Sequence, residues 1–314
     1  MATQHADPIS VYRSIINSAF FAGGSISQIL LRAVPIVLAA LAVVIPARAG
    51  LVNVGGEGQL IVGAIAATGT ALYLLPSAPA PVVLPAMALA GIAAGATWGA
   101  IAGGLRVAVG ANEAVTTLLM NFIANDILLY LLYQPWKDPN GTGQPQSRPL
   151  SSSESLPGLF SGLNLGVLVT LVVAVLVFFA LKRTGWGFAL RVVGGNQEAA
   201  RRAGLPVKRL MVSSMAAGGA LAGLGGMLYL AGTQLQLLPG ATATFGYTAF
   251  LAAFLGGQEP VKVVLAALAF SAIAISAPGL QLIYSLDGNI VDVLLALAVA
   301  APLALSSARR RRAF

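Results

Sequence analysis

Nine long apolar runs, separated by short polar stretches, constrain the fold of this chain more than any other feature. They lie at 33–47, 58–75, 82–105, 112–134, 164–181, 210–231, 245–257, 261–279 and 289–306. An apolar segment of about 20 residues crosses a bilayer as an α-helix. Only 9% of the residues are charged, whereas soluble proteins carry about a quarter. We therefore predict an all-α polytopic transmembrane helical bundle of about 8–10 spans, with residues 1–314 forming a single domain.

The chain has almost no residues suited to catalysis. It contains no cysteine, and its one histidine, His5, lies in a polar N-terminal tail. This excludes thiolate metal sites, cysteine nucleophiles and histidine-based triads, so we predict no catalytic residue and no metal site. The sequence also contains no Gly-Lys dipeptide and hence no P-loop. If ATP drives this protein, a different subunit must bind it.

Basic residues set the expected orientation of the bundle. The loop 183–209 and the residue before it carry one acid, Glu198, and seven basic residues: Lys182, Arg183, Arg191, Arg201, Arg202, Lys208 and Arg209. Positive charge is concentrated on the cytoplasmic side of membrane proteins, so we place this loop and the arginine-rich C-terminus in the cytoplasm. The loop 135–163 is balanced in charge and rich in Pro, Gly and Ser, and we predict that it is external.

The number of predicted crossings raises a question about the N-terminus. Five predicted crossings precede residue 182, which would leave residues 1–32 outside the cell without a signal or a preceding span. Two explanations stay open: a first transmembrane helix is missing from this chain, or residues 9–31 enter the membrane only partly.

Glycines recur every four residues in the third run, at Gly91, Gly95, Gly99 and Gly103. This spacing places them on one side of a helix, where they allow another helix backbone to approach closely. Gly219 and Gly223 repeat the pattern in 210–231. We predict close helix packing at both places.

The cytoplasmic loop contains signals for a short helix. Asn196 is a good N-cap, Glu198 falls in the first turn, and Gly204 followed by Pro206 ends the helix. The helix would have about two turns and be roughly 12 Å long, with a smooth face of Ala199, Ala200 and Ala203. A short rigid helix of this kind suits docking on a partner protein; the alternative is a solvated, positively charged loop.

Four segments together resemble one protein family. They are RAGLVNVGGEGQLIVGA (48–64), GANEAVTTLLMNFIA (110–124), GFALRVVGGNQEAARRAGLPVKRL (187–210) and AAGGALAGLGGMLYL (216–230). The chain resembles, from about residue 30 to about 300, the permease subunits of bacterial ATP-binding-cassette (ABC) importers of the ribose/simple-sugar and branched-chain amino-acid superfamily. Within it, the nucleoside (simple-sugar-like) branch is the most similar.

The resemblance implies a location, a function and a set of partners. It implies a multi-pass protein of the bacterial plasma membrane that carries a nucleoside, then a simple sugar, then a branched-chain amino acid, in falling order of expectation. The implied partners are an ABC ATPase, a second permease subunit, an extracytoplasmic solute-binding protein and membrane lipid, with no nucleic acid. No cofactor would bind this chain, because ATP and magnesium would bind the ATPase. In the family a further helix normally precedes the segment that matches 9–32.

By the same resemblance, 194–206 is the coupling helix that contacts the ATPase. The residues carried over to this role are Gly195, Asn196, Glu198, Ala199, Arg201, Arg202, Ala203 and Gly204.

Asn121, Asn125 and Asp126 are the first polar candidates for the substrate pathway. Asn121 and Asn125 are four residues apart, hence on one helix face, and Asp126 is adjacent. A carboxylate within a span costs about 2.5–3.5 kcal/mol on insertion scales, so Asp126 should face the protein interior or a water-filled path. These groups could hydrogen-bond a substrate, or they could form a polar clasp between helices.

Asn53, Glu57 and Gln59 form the second set of pathway candidates. Asn53 and Glu57 would share a helix face, and Arg48 or Arg106 could neutralise Glu57. The segment is either a broken helix near the gate or a structural salt bridge at the membrane edge.

An ion-coupled secondary transporter is the alternative function. It would favour a pair of acids deep in the bundle, and only Asp126 is expected to be deep. A membrane-embedded enzyme is the least favoured of the three candidate functions.

Overall fold

The described part of the chain is a bundle of helices. In this computed structural model, the described residues are 17, 23–141, 143–242 and 244–276. The helices are α1 Ser25–Ala47, α2 Gly56–Gly69, α3 Ala80–Val109, α4 Glu113–Tyr133, α5 Leu165–Arg183, α6 Gly185–Gly195, α7 Gln197–Arg202, α8 Val207–Tyr229, α9 Phe245–Leu255 and α10 Pro260–Ile275. The α2 and α8 helices each continue into one π-helical turn, Thr70–Leu74 and Leu230–Gln234. The all-α prediction is confirmed.

Five of the described helices are long and apolar enough to cross a membrane. They are Ser25–Ala47, Ala80–Val109, Glu113–Tyr133, Leu165–Arg183 and Val207–Gln234, while Phe245–Leu255 and Pro260–Ile275 are shorter apolar helices. The first predicted run, 33–47, begins eight residues too late. The predicted span 289–306, the end of 261–279, the basic C-terminus and most of the N-terminal segment 1–32 lie outside the described residues.

The centre of the bundle is α1. Every residue from Ala33 to Pro46 is buried, whereas α3 and α5 leave most of their surfaces uncovered. A helix that is hydrophobic all round and buried all round belongs inside a bundle. It packs against α2, α5, α8, α9 and α10, so α1 is the inner helix of the described part of the bundle.

The glycine ridge of α3 packs directly on α8, as predicted. A Cβ atom on Gly95 would overlap the carbonyl oxygen of Gly219 and lie 2.8 Å from the Cα atom of Gly223. A Cβ atom on Gly99 would overlap the carbonyl oxygen of Met215 in the same way. The two backbones therefore touch, which side chains at these positions would prevent.

The two ends of the bundle differ in their chemistry. At the basic end, Glu259 in the turn before α10 pairs with Arg48 after α1 (3.2 Å) and with Lys182 in α5 (3.4 Å). At the opposite, loop end, the segment 135–163 packs on the residues after α8, where the backbone N–H of Ser147 donates to the carbonyl of Leu237. The predicted cytoplasmic and external loops therefore lie at opposite ends of the bundle.

The carboxyl group of Glu259 is held ionised by its neighbours. The hydrogen bond from Arg48 is the largest cause that lowers the pKa of Glu259 below its ordinary value; partial burial opposes it, and the charge of Arg48 and the bond from Lys182 add smaller lowering effects. The charge is therefore retained to a lower pH than in an isolated carboxylate.

Candidate functional site in a buried break of the bundle and on the α4 surface

A non-helical segment, residues 51–55, runs inside the bundle between α1 and α2. The chain turns back after α1 at Gly50, which has a φ of +76°. A Cβ atom on Gly56, the first residue of α2, would lie 3.7 Å from Cβ of Ala39. Because Ala39 precedes the end of α1 by eight residues, α2 begins about 12 Å inside the bundle. Of the two alternatives left open for this segment, the structure shows the break between helices; its location near a gate stays a prediction.

Non-helical backbone inside a membrane protein needs hydrogen-bond partners from the protein itself. Three side chains of α4 supply them, and we call Glu113, Thr117 and Asn121 the α4 ladder. Their spacing of four residues places them on one helix face. The bonds are Val52 N to Glu113 Oε1 (3.2 Å), Val54 N to Thr117 Oγ1 (3.1 Å), Gly58 N to Asn121 Oδ1 (2.8 Å) and Asn121 Nδ2 to the Val54 carbonyl (3.0 Å).

Asn53 and Gln59 also hold this break together. Asn53 Nδ2 donates to the carbonyl of Ala42 (3.1 Å), and its Oδ1 accepts from Gly55 N (3.0 Å) and Gln59 Nε2 (3.2 Å). Both side chains are buried. Since α2 begins only at Gly56, the predicted helix face shared by Asn53 and Glu57 is wrong: Asn53 precedes the helix and stabilises its start.

The predicted neutralisation of Glu57 by an arginine is also wrong. Arg48 binds Glu259, and Arg106 lies 3.4 Å from Glu113 Oε2. Glu57 Oε2 instead accepts from the backbone N–H of Gly246 at 2.7 Å. Gly246 lies in the first turn of α9, where the unpaired N–H groups of a helix favour a negative charge. Glu57 therefore joins the start of α2 to the start of α9.

The three pathway candidates of α4, Asn121, Asn125 and Asp126, separate into two environments. Asn121 is buried in the ladder, which favours the clasp among the two roles left open for it. Asn125 is partly exposed and Asp126 is exposed. Of the two alternatives expected for Asp126, the interior of this chain is excluded, because Asp126 lies on the outward face of α4 beside Phe122 and Tyr130, which are also exposed; a water-filled path stays a prediction.

An exposed carboxylate at this depth has a clear physical consequence. Asp126 lies three residues from the middle of α4, about 4.5 Å along its axis. A carboxylate facing lipid there would cost about 2.5–3.5 kcal/mol on insertion scales. This cost favours an arrangement in which another protein surface, or water within the membrane, covers the outward face of α4.

The segment at the basic end forms two short helices, where the sequence predicted one. The helix α6 was missed, although Thr184 is a recognisable N-cap and its Oγ1 accepts from Gly187 N at 3.2 Å. Its apolar residues Leu190 and Val193 are fully buried. The break falls at Asn196, whose extended backbone ends α6 and starts α7.

The caps of α7 agree with the prediction, but its smooth alanine face does not. Asn196 Oδ1 accepts from the backbone N–H groups of Glu198 and Ala199, each at 3.0 Å, and the chain leaves the helix through Gly204 at φ +81°. Ala200 is fully buried while Ala199 and Ala203 are exposed. The alanines therefore lie on both sides of α7, because one of them packs on the bundle.

The outer surface of α7 carries charged side chains close to one another. Glu198 pairs with Arg201 and with Arg202, each at 3.1 Å, and all three side chains are more than half exposed. Exposed pairs of this kind contribute little to stability, about 0–1 kcal/mol. With two arginines against one glutamate, this surface keeps a positive charge that a partner protein can contact.

Comparisons with known proteins identify the family. The family model described as "Branched-chain amino acid transport system / permease component" matches residues 25–305. The chain is 35% identical to a glucose ABC transporter permease protein of Haloferax volcanii, over 94% of this chain and 80% of that relative. It is 33% identical to a guanosine ABC transporter permease protein of Bacillus subtilis (92% and 83%). It is 30% identical to a nucleoside ABC transporter permease protein of Lactococcus lactis (87% and 78%).

Proposed function

The chain belongs to this family of permease components, and from that premise we propose that it carries nucleosides along the outward face of α4. It is a multi-pass membrane protein and the permease subunit of an ABC importer for a nucleoside or a sugar. ATP hydrolysis belongs to a separate ATPase, and such importers also use a solute-binding protein. Two of the three relatives are named for guanosine or nucleosides and one for glucose, which supports placing nucleosides before sugars.

The exposed position of Asp126 carries the proposal for the pathway. A second permease subunit, identical or homologous, covers the outward face of α4 and leaves a water-filled path beside Asp126 and Asn125. The carboxylate accepts hydrogen bonds from ribose or sugar hydroxyls, and bonds to a charged acceptor contribute about 1.5–3 kcal/mol. Asn53, Glu57, Gln59 and Asn121 act on this pathway indirectly, because they fix the break that positions α4.

The basic end lies in the cytoplasm in this proposal. The positive charge of 183–209 supports that orientation, which also puts the C-terminus in the cytoplasm and the loop 135–163 outside, where the solute-binding protein delivers its ligand. The ATPase contacts the outer surface of α7 and binds ATP and magnesium, and this chain binds no cofactor. The membrane is the bacterial plasma membrane.

The pathway is tested by changing Asp126 to Asn and to Leu. We expect guanosine uptake by membrane vesicles containing the complete importer to fall about tenfold, the loss of one hydrogen bond to a charged group, with unchanged amounts of protein in the membrane. Asp138→Asn in the external loop is the matched control and should transport normally. Normal uptake by both Asp126 variants would contradict the pathway, and competition by glucose but not by nucleosides would assign a sugar instead.

The docking of the ATPase is tested at Ala203, which is exposed at the end of α7. Ala203→Glu should leave membrane insertion intact but separate ATP hydrolysis from uptake, because the added side chain occupies the docking surface. The control is Ala108→Glu, a change at another exposed alanine, at the end of α3. Unchanged uptake by the Ala203 variant would contradict the docking of the ATPase on α7.

A further inference from the structure

We propose that a backbone contact between Gly194 and the turn 48–50 transmits movement of the ATPase-docking segment to the outward face of α4. The path runs from α6–α7 through this turn to the segment 51–55 and then through the α4 ladder. The inference rests on the proposed docking of the ATPase on α7, and it assigns a positioning role to Gly194, Gly50 and Thr117.

The first step is the contact itself. A Cβ atom on Gly194 would overlap the carbonyl oxygen of Arg48, and would lie 3.0 Å from the Arg48 carbonyl carbon and 3.1 Å from Gly50 N. In the other direction, a Cβ atom on Gly50 would lie 3.4 Å from Cα of Gly194. The two backbones therefore touch without a side chain between them. A displacement of one must displace the other, because close-packed protein has little compressibility.

The second step is that α6 and α7 are fixed to each other and to the bundle. Asn196 joins the two helices, because its N–H donates to the carbonyl of Val192 in α6 at 3.1 Å and its carbonyl accepts from Ala200 N in α7 at 3.0 Å. Ala200 is also fully buried against the bundle. In α6, Arg191 Nη1 donates to the carbonyl of Leu181 in α5. A force applied to the exposed side of α7 therefore acts on α6 as well, including Gly194 at its end.

The third step leads from the turn to α4. Residues 48–50 continue directly into 51–55, whose N–H groups at Val52 and Val54 are bound by Glu113 and Thr117. Asn121 binds the same segment further along. A shift of 51–55 must either break these bonds or move α4 with it. Leaving a buried N–H unpaired costs about 1–3 kcal/mol, so movement of α4 is favoured.

The α4 ladder is on the opposite side of the helix from Asp126. A small rotation or translation of α4 driven from the ladder therefore changes the exposure of Asp126 and Phe122 to the pathway. The docking surface is therefore connected to the substrate path by contacts between described residues. This connection does not depend on the direct continuation of the chain from α7 into α8.

The absence of cysteine from the chain makes the test direct. Phe122→Cys places a single thiol on the outward face of α4, and its rate of reaction with a maleimide is measured in the complete importer, without nucleotide and with ATP and vanadate. We expect the two rates to differ about fivefold. Adding Gly194→Ala should reduce this difference to less than about twofold, because the new methyl group separates α6 from the turn.

Two matched controls isolate the contact. Gly185→Ala makes the same change at the other end of α6, where nothing lies within 4 Å of the added Cβ atom. It should keep the full difference in labelling rate. Thr117→Val removes the hydroxyl that accepts from Val54 N, and should reduce the difference even if the Gly194 variant fails to fold. Thr116→Val removes a hydroxyl that donates to the carbonyl of Asn112, the N-cap of the same helix, and should leave the difference unchanged.

Several outcomes would overturn the proposal. Equal labelling rates in the two nucleotide states without further substitution would show that the face of α4 does not respond. A full response in both the Gly194 and the Thr117 variants would show that this path is not used, and loss of the response in the controls would show that the effect is not specific. Labelling does not require a transported solute, so failure of guanosine uptake with an intact response would refute only the proposed substrate.

Discussion

The outward faces of α4 and α5 are similar in size but different in chemistry. Both helices have membrane length, and both expose large apolar side chains, such as Phe122 on α4 and Leu176 on α5. The face of α4 also carries Asp126 near its middle, whereas the middle of the outward face of α5 is apolar throughout. A hydrophobic exposed surface therefore does not identify lipid contact by itself; a single charge distinguishes the two environments.

The inward faces of the two helices differ as well. The α4 helix is bound by the ladder at Glu113, Thr117 and Asn121, through directional hydrogen bonds to a non-helical segment. The α5 helix is packed mainly by apolar contacts and is paired at its basic end by Lys182 with Glu259. Apolar packing is non-directional, so α5 can contribute a lipid-facing wall, while α4 is tied by directional hydrogen bonds to the break between α1 and α2.

The largest predicted effect comes from adding a charge to each outward face. Leu176→Asp on α5 should cost about 3 kcal/mol of membrane insertion, which corresponds to a shift of roughly a hundredfold. The matched change Phe122→Asp on α4 should cost much less in the assembled importer, because that face meets protein or water. The two side chains are 61% and 59% exposed, so exposure does not distinguish them. The measurement is the protease-protected fraction of the protein in membranes.

If Phe122→Asp impairs insertion as severely as Leu176→Asp, then the outward face of α4 contacts lipid, as the outward face of α5 does.

The second-largest predicted effect is the loss of stability when Asn121 is removed from the α4 ladder. Asn121→Ala leaves Gly58 N and the carbonyl of Val54 without their partner inside the protein, and should lower the free energy of unfolding by about 2–3 kcal/mol. Asn125→Ala, one turn further along, should change it by less than about 0.5 kcal/mol. Thermal unfolding of the purified importer in detergent measures both. Equal stability of the two variants would contradict the distinction between a buried clasp and a pathway residue.

The smallest predicted effect is the loss of stability when Glu259, the partner of Lys182 at the basic end of α5, is neutralised. Glu259→Gln should lower stability at neutral pH by less than about 1 kcal/mol, because the carboxylate is partly exposed. Since the pKa of Glu259 is lowered in the folded state, its contribution is present above the ordinary carboxyl pKa and is lost as the pH falls through the lowered value. The wild-type protein and the variant should therefore become equally stable in acid. A difference that persists there would show that packing, rather than charge, is responsible.

Some parts of the fold and the site were predictable from local sequence. The runs of apolar residues indicated the spans, and the four-residue glycine spacing indicated that α3 and α8 each pack closely on another helix; that they pack on each other came from the structure. The cap at Asn196 and the stop at Gly204 were predicted because capping depends on residues within a few positions of each other. The helix α6, which was not predicted, begins with a similar local signal at Thr184, so its start could also have been predicted from the sequence.

Other parts required the three-dimensional structure. The sequence suggested Arg48 or Arg106 as partners for Glu57, but the partner is a backbone N–H of Gly246, almost two hundred positions away in the chain. A backbone donor has no signature in the sequence. In the same way, the adjacent polar residues of α4 could not be assigned to the interior or to the surface until the neighbours of that helix were known.

The sequence by itself determined that this chain is a helical membrane protein with no cysteine and a single histidine, because hydrophobicity and residue type are properties of each segment alone. Only the tertiary structure decided that Asn121 holds a buried break while Asp126 faces outward, and that Gly194 touches the turn 48–50. These facts depend on which backbones approach each other, and close approach is set by the packing of all the helices together.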